Sequence, residues 1–312
     1  MRVTRSQVAA YHPLSAMRQL NLSQGKPPML NACLVYLRCD VLLNYAATLM
    51  THHIKIVSWN VNGVRAAAAK GLLEWPETSQ ADILALQETK AHPDKLEPAL
   101  HSPPGYHSAW CAGDVAHYCG VATFSRQPAL THTRGLGDAF LDTEGRVLVS
   151  TFPAFTLFNV YFPSGSSGPA RVAHKLAFYQ RFLELVQPRI AAGERIVVLG
   201  DVNTAYAPID LARPKENAKT SGFLPEERAA LGQFFAVGLV DTFRHCYPNE
   251  VAYSWWSMRS GARTRNVGWR LDYIFVSENL RDAIIDTAMY PHITGSDHCP
   301  VSLTLALPAH TR

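Results

Sequence analysis

Four short stretches of the chain hold groups able to do hydrolytic chemistry. Leu84-Ala85-Leu86-Gln87-Glu88-Thr89-Lys90 is an apolar run ending in an acid, and Gly200-Asp201-Val202-Asn203 sets a carboxylate and a carboxamide two residues apart. Side chains two apart on a strand leave by the same face, so Asp201 and Asn203 can point together, as can Asn60 and Asn62 after Ile54–Trp59. Gly295-Ser296-Asp297-His298-Cys299-Pro300 places an acid beside an imidazole in a loop, and Asn266-Val267-Gly268-Trp269-Arg270-Leu271-Asp272-Tyr273 puts Asp272 into an apolar strand. An acid in that setting needs a partner, and a histidine supplies one. Each stretch alone has a plain structural explanation: a solvent-facing acid, an Asx turn, a structural Asp-His pair. The chemical alternative for Glu88 is a hard-metal ligand, because Mg²⁺ takes one or two carboxylates and leaves room for water and phosphate oxygens.

These groups need strands to carry them. Apolar, β-branched runs predict strands at Ile54–Trp59, Ile83–Leu86, Gly120–Ser125, Arg146–Phe152, Phe155–Tyr161, Ile196–Leu199, Leu271–Val276 and Val301–Leu305. Helices are predicted at Ala66–Thr78, at Ala170–Ala191 from the three- and four-residue spacing of Val172, Leu176, Tyr179, Leu183 and Val186, and at Pro225–Val237, where Glu226 and Glu227 suit the positive end. Strands and helices alternate, as in an α/β protein. Ile54–Asn62 and Ile196–Asn203 echo one another, each an apolar strand ending in a polar-Val-Asn step. Two such halves face to face make a two-sheet sandwich with the site at one rim.

Composition permits this. Of 312 residues, 47% are hydrophobic and 17% charged, enough for a large core and too apolar for a disordered or coiled-coil chain. The six cysteines (Cys33, Cys39, Cys111, Cys119, Cys246, Cys299) show neither disulfide nor zinc spacing, which suits a reducing compartment. The net charge of +4 lies in residues 1–49, which hold five basic residues against Asp40, leaving 24 basic and 24 acidic residues in 50–312. Global charge therefore carries no argument for nucleic-acid binding. Residues 1–49 are broken by Arg38, Asp40 and Asn44 before reaching membrane-span length. They read as a poorly structured extension before a catalytic domain at 50–312, either upstream of a start at Met50 or an organellar presequence.

In order, Asn60-Val61-Asn62, Gln87-Glu88-Thr89, Asn159-Val160-Tyr161-Phe162-Pro163, Gly200-Asp201-Val202-Asn203, Trp269-Arg270-Leu271-Asp272-Tyr273 and Ser296-Asp297-His298 are far more specific together than singly. From about Ile54 to Leu305 the chain resembles the exonuclease III family of apurinic/apyrimidinic (AP) endonucleases, within the DNase I-like endonuclease–exonuclease–phosphatase superfamily. The resemblance implies a four-layered α/β sandwich with two packed β-sheets. It implies a Mg²⁺-dependent hydrolase, Mn²⁺ substituting, that cuts the phosphodiester 5′ to abasic sites in double-stranded DNA and cleans damaged 3′ ends. It also implies a monomer without membrane attachment, cytoplasmic and nucleoid-associated, or organellar if residues 1–49 are a presequence. Glu88 becomes the principal metal ligand, with Asn60, Asp201, Asn203, Asp297 and His298 as further metal positions. Asp201, Asn203, His298 and Tyr161 take catalytic roles, Asp272 orients His298, and Asn62, Asn217, Trp255, Trp269 and Arg270 meet DNA. The chain departs from frequent family residues at Asn62, Thr220 and Tyr206.

Three other functions compete. A 3′→5′ exonuclease or 3′-phosphatase uses the same groups; an inositol-phosphate or phospholipid phosphatase shares the metal and Asp-His elements but not the DNA segments; an inactive DNA-binding platform requires missing catalytic groups, and none is missing.

Overall fold

The computed structural model describes residues 51–114 and 118–308. Residues 1–49, read as an extension, lie outside the described residues.

Fourteen strands are labelled in chain order: β1 Thr51–Asn60, β2 Ile83–Gln87, β3 His107–Cys111, β4 Val121–Ser125, β5 Thr131–Arg134, β6 Val147–Thr151, β7 Thr156–Val160, β8 Ile196–Asp201, β9 Leu239–Asp241, β10 Trp255–Trp256, β11 Gly268–Trp269, β12 Asp272–Ser277, β13 Ile284–Met289 and β14 Val301–Pro308. They form two mixed six-stranded sheets, ordered β13-β14-β1-β2-β4-β3 and β5-β6-β7-β8-β12-β9, and a β10-β11 ribbon. The pairs β1/β2 and β7/β8 are parallel; the other pairs within the two sheets are antiparallel.

Alternation along the central strands decides what each face meets. In β8, Val197 and Leu199 join Ile56, Ala85, Ile274 and Leu303 between the sheets, while Ile196 and Val198 face the other way toward Phe178, Phe182 and Phe234. Both faces are buried, so these strands read as continuous apolar runs. On the far face of the first sheet, Val57, Trp59, Leu84 and Phe124 pack with Val64, Ala67 and Leu72. The result is the expected four-layered α/β sandwich. Among the described residues, no helix is long and apolar enough to cross a membrane.

The long helix runs from Pro169 to Ala191, and the second from Pro225 to Ala236. The buried stripe of the first is Lys175, Phe178, Tyr179, Phe182, Leu183 and Val186, rotated from the expected one: Val172 and Leu176 are only half-buried. The helix expected over Ala66–Thr78 is instead two short pieces, Val64–Ala68 and Pro76–Ser79. Gly71 breaks it with a left-handed backbone (φ 89°), and Thr78 caps the resulting turn by donating to the Leu72 carbonyl at 2.5 Å.

Candidate active site

The polar ends of β1, β2 and β8 meet at one rim. Parallel pairing sets Asn60 opposite Gln87, and antiparallel pairing sets Asp272 of β12 opposite Asp201. Three of the chain ends turn sharply: Asn62, Glu88 and Asn203 have left-handed backbones (φ 47°, 50° and 55°). Asparagine tolerates that region, whereas at Glu88 it costs on the order of 1–3 kcal/mol, offset by its surroundings. The surroundings are backbone bonds from Gly63 N to Glu88 O (2.7 Å) and Val64 N to Thr89 O (2.9 Å), which zip the β1 and β2 loops together.

Glu88, Asp201 and His298 bring their ligand atoms within 4.8 Å of one another. Asn60 donates its amide to Glu88 Oε1 (2.7 Å) and Asp201 Oδ2 (2.9 Å), and its own oxygen accepts from Asn62 N (3.0 Å). Asn60 was expected as a metal ligand; here it clamps the two carboxylates, because the backbone N–H of Asn62 fixes which way the amide faces. Asn203 donates to Phe162 O at 2.9 Å and Asp201 Oδ2 at 3.1 Å, and its backbone N–H donates to Asp201 Oδ1 at 2.8 Å. Asp201 is thus held by three donors.

His298 is 4% exposed and lies with Nδ1 2.8 Å from Asp272 Oδ2 and Nε2 3.8 Å from Asp201 Oδ2. Asp272 therefore stands where it can fix the imidazole orientation. Ser254, in turn, accepts the backbone N–H groups of Leu271 and Asp272, both at 3.0 Å. Trp59, with no exposed surface, donates Nε1 to the His298 carbonyl at 3.2 Å and pins the loop from behind.

The charge pattern calls for a cation. Burial alone would raise the Glu88 pKa, but hydrogen bonds from Asn60 and Lys90 outweigh it and keep the carboxyl below its ordinary range. Asp201 is pushed up to about 7 by burial and the nearby charges of Asp272 and Glu88, with His298 opposing. Burial would lower the His298 pKa, but Asp272 and then Asp201 raise it to about 10. The half-buried Glu88 and the buried Asp201, backed by Asp272, set hard oxygen donors about one space and fit a hard divalent ion; the chemistry of the donor set is the fit.

Asp297 is not one of the three residues of that cluster. Its oxygens accept from Asn62 Nδ2 (2.9 Å), Ser296 Oγ (3.2 Å) and Trp255 Nε1 (3.0 Å), leaving it a loop anchor that these contacts and His298 hold ionised against burial. Asn62 is also engaged at both ends, by Asp297 and by Lys90. Tyr161 is 9% exposed under the guanidinium of Arg146, 4.4 Å from its ring; burial, then Glu88 and Asp201, raise its phenol well above the usual range. Trp255 and Trp269 are half-buried and packed edge to face at 6.4 Å beside Ala205, Leu211, Phe223 and Leu271. Asn217 closes its own turn, donating to Arg213 O at 2.8 Å, and is not brought to the cluster.

Arg270 is a correction. Expected to meet DNA, it is 1% exposed and paired with Asp210 and Asp241, both at 2.8 Å. Arg270 lies between β11 and β12, and its two ion pairs turn it inward while Trp269 and Leu271 join the apolar cluster, so a basic residue next to Trp269 need not share its surface. Lys90 carries a role the sequence reading did not assign: it pairs with Glu88 at 2.8 Å. Its position two residues from Glu88 was the available signal.

The sequence model of the Endonuclease/Exonuclease/phosphatase family matches residues 57–298. The chain is 39% identical over 254 residues to an exodeoxyribonuclease of Bacillus subtilis, spanning 81% of this chain and 99% of that one. It is 39% identical over 258 residues to the DNA repair nuclease APEX1 of Danio rerio, spanning 82% and 83%. The fold superposes on the AP endonuclease LMAP of Leishmania major with TM-score 0.74 and 29% identity, covering 81% of this chain and 88% of that one.

Proposed function

Because the chain belongs to the endonuclease/exonuclease/phosphatase family, we propose that it is a DNA-repair hydrolase that cleaves the phosphodiester 5′ to abasic sites in double-stranded DNA. The observation that carries this reading is the rim itself: Glu88, Asp201 and the Asp272–His298 pair converge beside the apolar cluster of Trp255, Trp269, Phe223 and Leu271. Charged groups for a phosphate stand next to an apolar wall suited to a sugar that has lost its base. A flipped nucleotide is read by pocket shape, and an abasic one leaves the stack at least cost.

Glu88 and Asp201 would hold Mg²⁺, which supplies charge neutralisation at the non-bridging oxygens of the phosphate. The protein's own groups do the rest. Asp201, held by Asn60 and Asn203, accepts a proton from the attacking water. His298, oriented through Nδ1 by Asp272, presents Nε2–H to the developing negative charge. Tyr161 stays protonated and offers its phenol as a further donor to phosphate. A cleft of about 270 Å³ lined in part by Asn62, Lys70, Arg263 and Asp297 continues the rim and gives a strand basic company. Among the described residues Cys111, Cys119, Cys246 and Cys299 are free, compatible with a reducing compartment.

A second reading, 3′-end processing of damaged or recessed ends, uses the same groups; against it, the small loop Ser164–Gly168 leaves room beside the pocket for an abasic sugar with its flanking strand, where bulk would favour terminal substrates. Gly168 has open space around it, so the approach is unobstructed. Nicking of a duplex with one abasic site, with Mg²⁺ and after chelation, tests the first reading: cleavage that survives chelation, or none with Mg²⁺, refutes it.

A further inference from the structure

Lys175 and Glu227 form an ion pair at 2.8 Å in which neither side chain has any exposed surface. Lys175, on the Pro169–Ala191 helix, also donates to the Asn203 carbonyl at 2.7 Å. Glu227, in the first turn of the Pro225–Ala236 helix, has both oxygens doubly occupied. Oε1 accepts Lys175 Nζ and, at 2.7 Å, Ser221 Oγ; Oε2 accepts Gly222 N at 2.5 Å and Leu224 N at 3.1 Å. A carboxylate has about four acceptor sites, so only the ionised acid satisfies this set, and an amide turns an N–H toward donors on one side or the other. The loop so held lies against the tryptophan: a Cβ added at Gly222 would be 3.2 Å from the Trp269 ring and 3.4 Å from the Asn203 carbonyl.

Core stability does not explain the pair. The desolvation of two buried charges offsets much of their attraction, and apolar residues of similar volume often hold a core as well or better. What the pair supplies is direction. It fixes the carbonyl of a residue in a left-handed turn and, through one carboxylate, three donors of the 221–224 loop.

We propose that Lys175 and Glu227 are positioning residues for phosphodiester cleavage, a buried brace that keeps the Asn203 turn and the loop behind Trp269 in one relative geometry. Asn203 orients Asp201, and Trp269 walls the sugar side; the brace ties the two together without touching substrate. The inference rests on the reading of the site as an AP endonuclease.

The test uses the full chain with Mg²⁺ and compares Lys175→Met and Glu227→Gln with the wild type on an abasic duplex, on an undamaged duplex and in thermal melting. Misplacement of catalytic groups by about 1 Å can cost roughly 10²-fold, so kcat should fall about 10²-fold in each variant with KM within about threefold. Selectivity for abasic over undamaged sites should also narrow, which a purely structural role does not produce. Glu194→Gln, which breaks a remote pair with Arg189, controls for lost stability and should lower the melting temperature at unchanged kcat. If Lys175→Met and Glu227→Gln melt lower but keep kcat within about twofold, the brace is overturned. Should both fail to fold, Ser221→Ala removes one donor to Glu227 and leaves the ion pair; a several-fold loss of kcat supports the brace and none overturns it. A wild type inactive on abasic duplex refutes the AP-endonuclease reading instead, and the same variants on recessed 3′ ends then decide the brace.

Discussion

Asp272→Asn isolates the role of the imidazole. In the wild type Asp272 Oδ2 lies 2.8 Å from His298 Nδ1, and Asp272, followed by Asp201, raises the His298 pKa to about 10 against the effect of burial. His298 is therefore cationic across neutral pH, with both ring nitrogens able to donate. The amide keeps the shape but removes the charge. Without it the His298 pKa falls toward or below its ordinary value of about 6.5, so at pH 8 no more than about 3% remains protonated, a loss of about thirtyfold from protonation alone. Misorientation of the ring adds to this, and the whole should reach about 10²–10³-fold, the usual cost of losing a donor to a developing oxyanion. The sign follows: a group whose pKa drops recovers its proton as pH falls, so the ratio of variant to wild-type rate should rise toward pH 5.5, even as Asp201, the base with a pKa of about 7, takes up a proton and slows both enzymes. The assay is kcat/KM on a single-abasic-site duplex from pH 5.5 to 9 at saturating Mg²⁺. The backbone N–H of residue 272 stays bound to Ser254, so the fold should survive. A ratio of variant to wild-type rate that stays within about twofold of one across the whole pH range refutes the reasoning.

Glu88→Gln should lose most Mg²⁺-dependent cleavage, on the order of 10²-fold or more, at near-normal melting temperature; near-wild-type rates at limiting Mg²⁺ contradict the assignment. Trp269→Ala should relax discrimination between abasic and intact nucleotides, whereas proportional loss of both activities with a lower melting temperature marks Trp269 as ordinary core. Bulk in the nearby loop belongs at exposed Ser167 rather than Gly168, whose φ of 113° disfavours a side chain, and Ser167→Trp should depress abasic incision more than 3′-end processing. Asp210→Asn should destabilise by about 3–5 kcal/mol in chemical denaturation, because it leaves Arg270 buried and poorly paired. Burial would raise the Asp210 pKa, but Arg270 and Arg244 hold it below its ordinary value, so its contribution is present at neutral pH and lost as pH falls below about 4. The variant's deficit should accordingly shrink in acid. A chain starting at Met50 should keep full turnover on abasic duplex, with at most a shallower salt dependence from the lost positive charge; collapse of activity contradicts the proposed domain boundary.

Strands buried on both faces were the legible part of the fold. β1, β2, β4, β6, β7, β8, β12 and β14 stand out as runs rich in apolar and β-branched residues. The four strands at sheet edges, β3, β5, β9 and β13, did not: β5 is exposed along its whole length and β9 has three residues, so neither carries a strong pattern. Glu88, Asp201, Asp272 and His298 were legible because each is a polar group at or in an apolar strand, or a loop acid–imidazole pair, with few alternatives. Roles that depend on which way an amide turns were not. Asn60 as a clamp and Asp297 as an anchor follow from neighbours distant in sequence, Asn60 with Asp201 and Asp297 with Asn62 and Trp255. Arg270 was misread because its partners, Asp210 and Asp241, lie far along the chain and give no local signal.

The most direct measurement is a paired rate comparison by the wild-type chain: incision of a duplex carrying one abasic site and removal of nucleotides or phosphate from a recessed 3′ end, each with Mg²⁺ and with chelator. Mg²⁺-dependent incision 5′ to the abasic site should be faster than 3′-end processing, with no turnover of either substrate once the metal is chelated. Processing confined to 3′ ends, with the abasic site left intact, would contradict it.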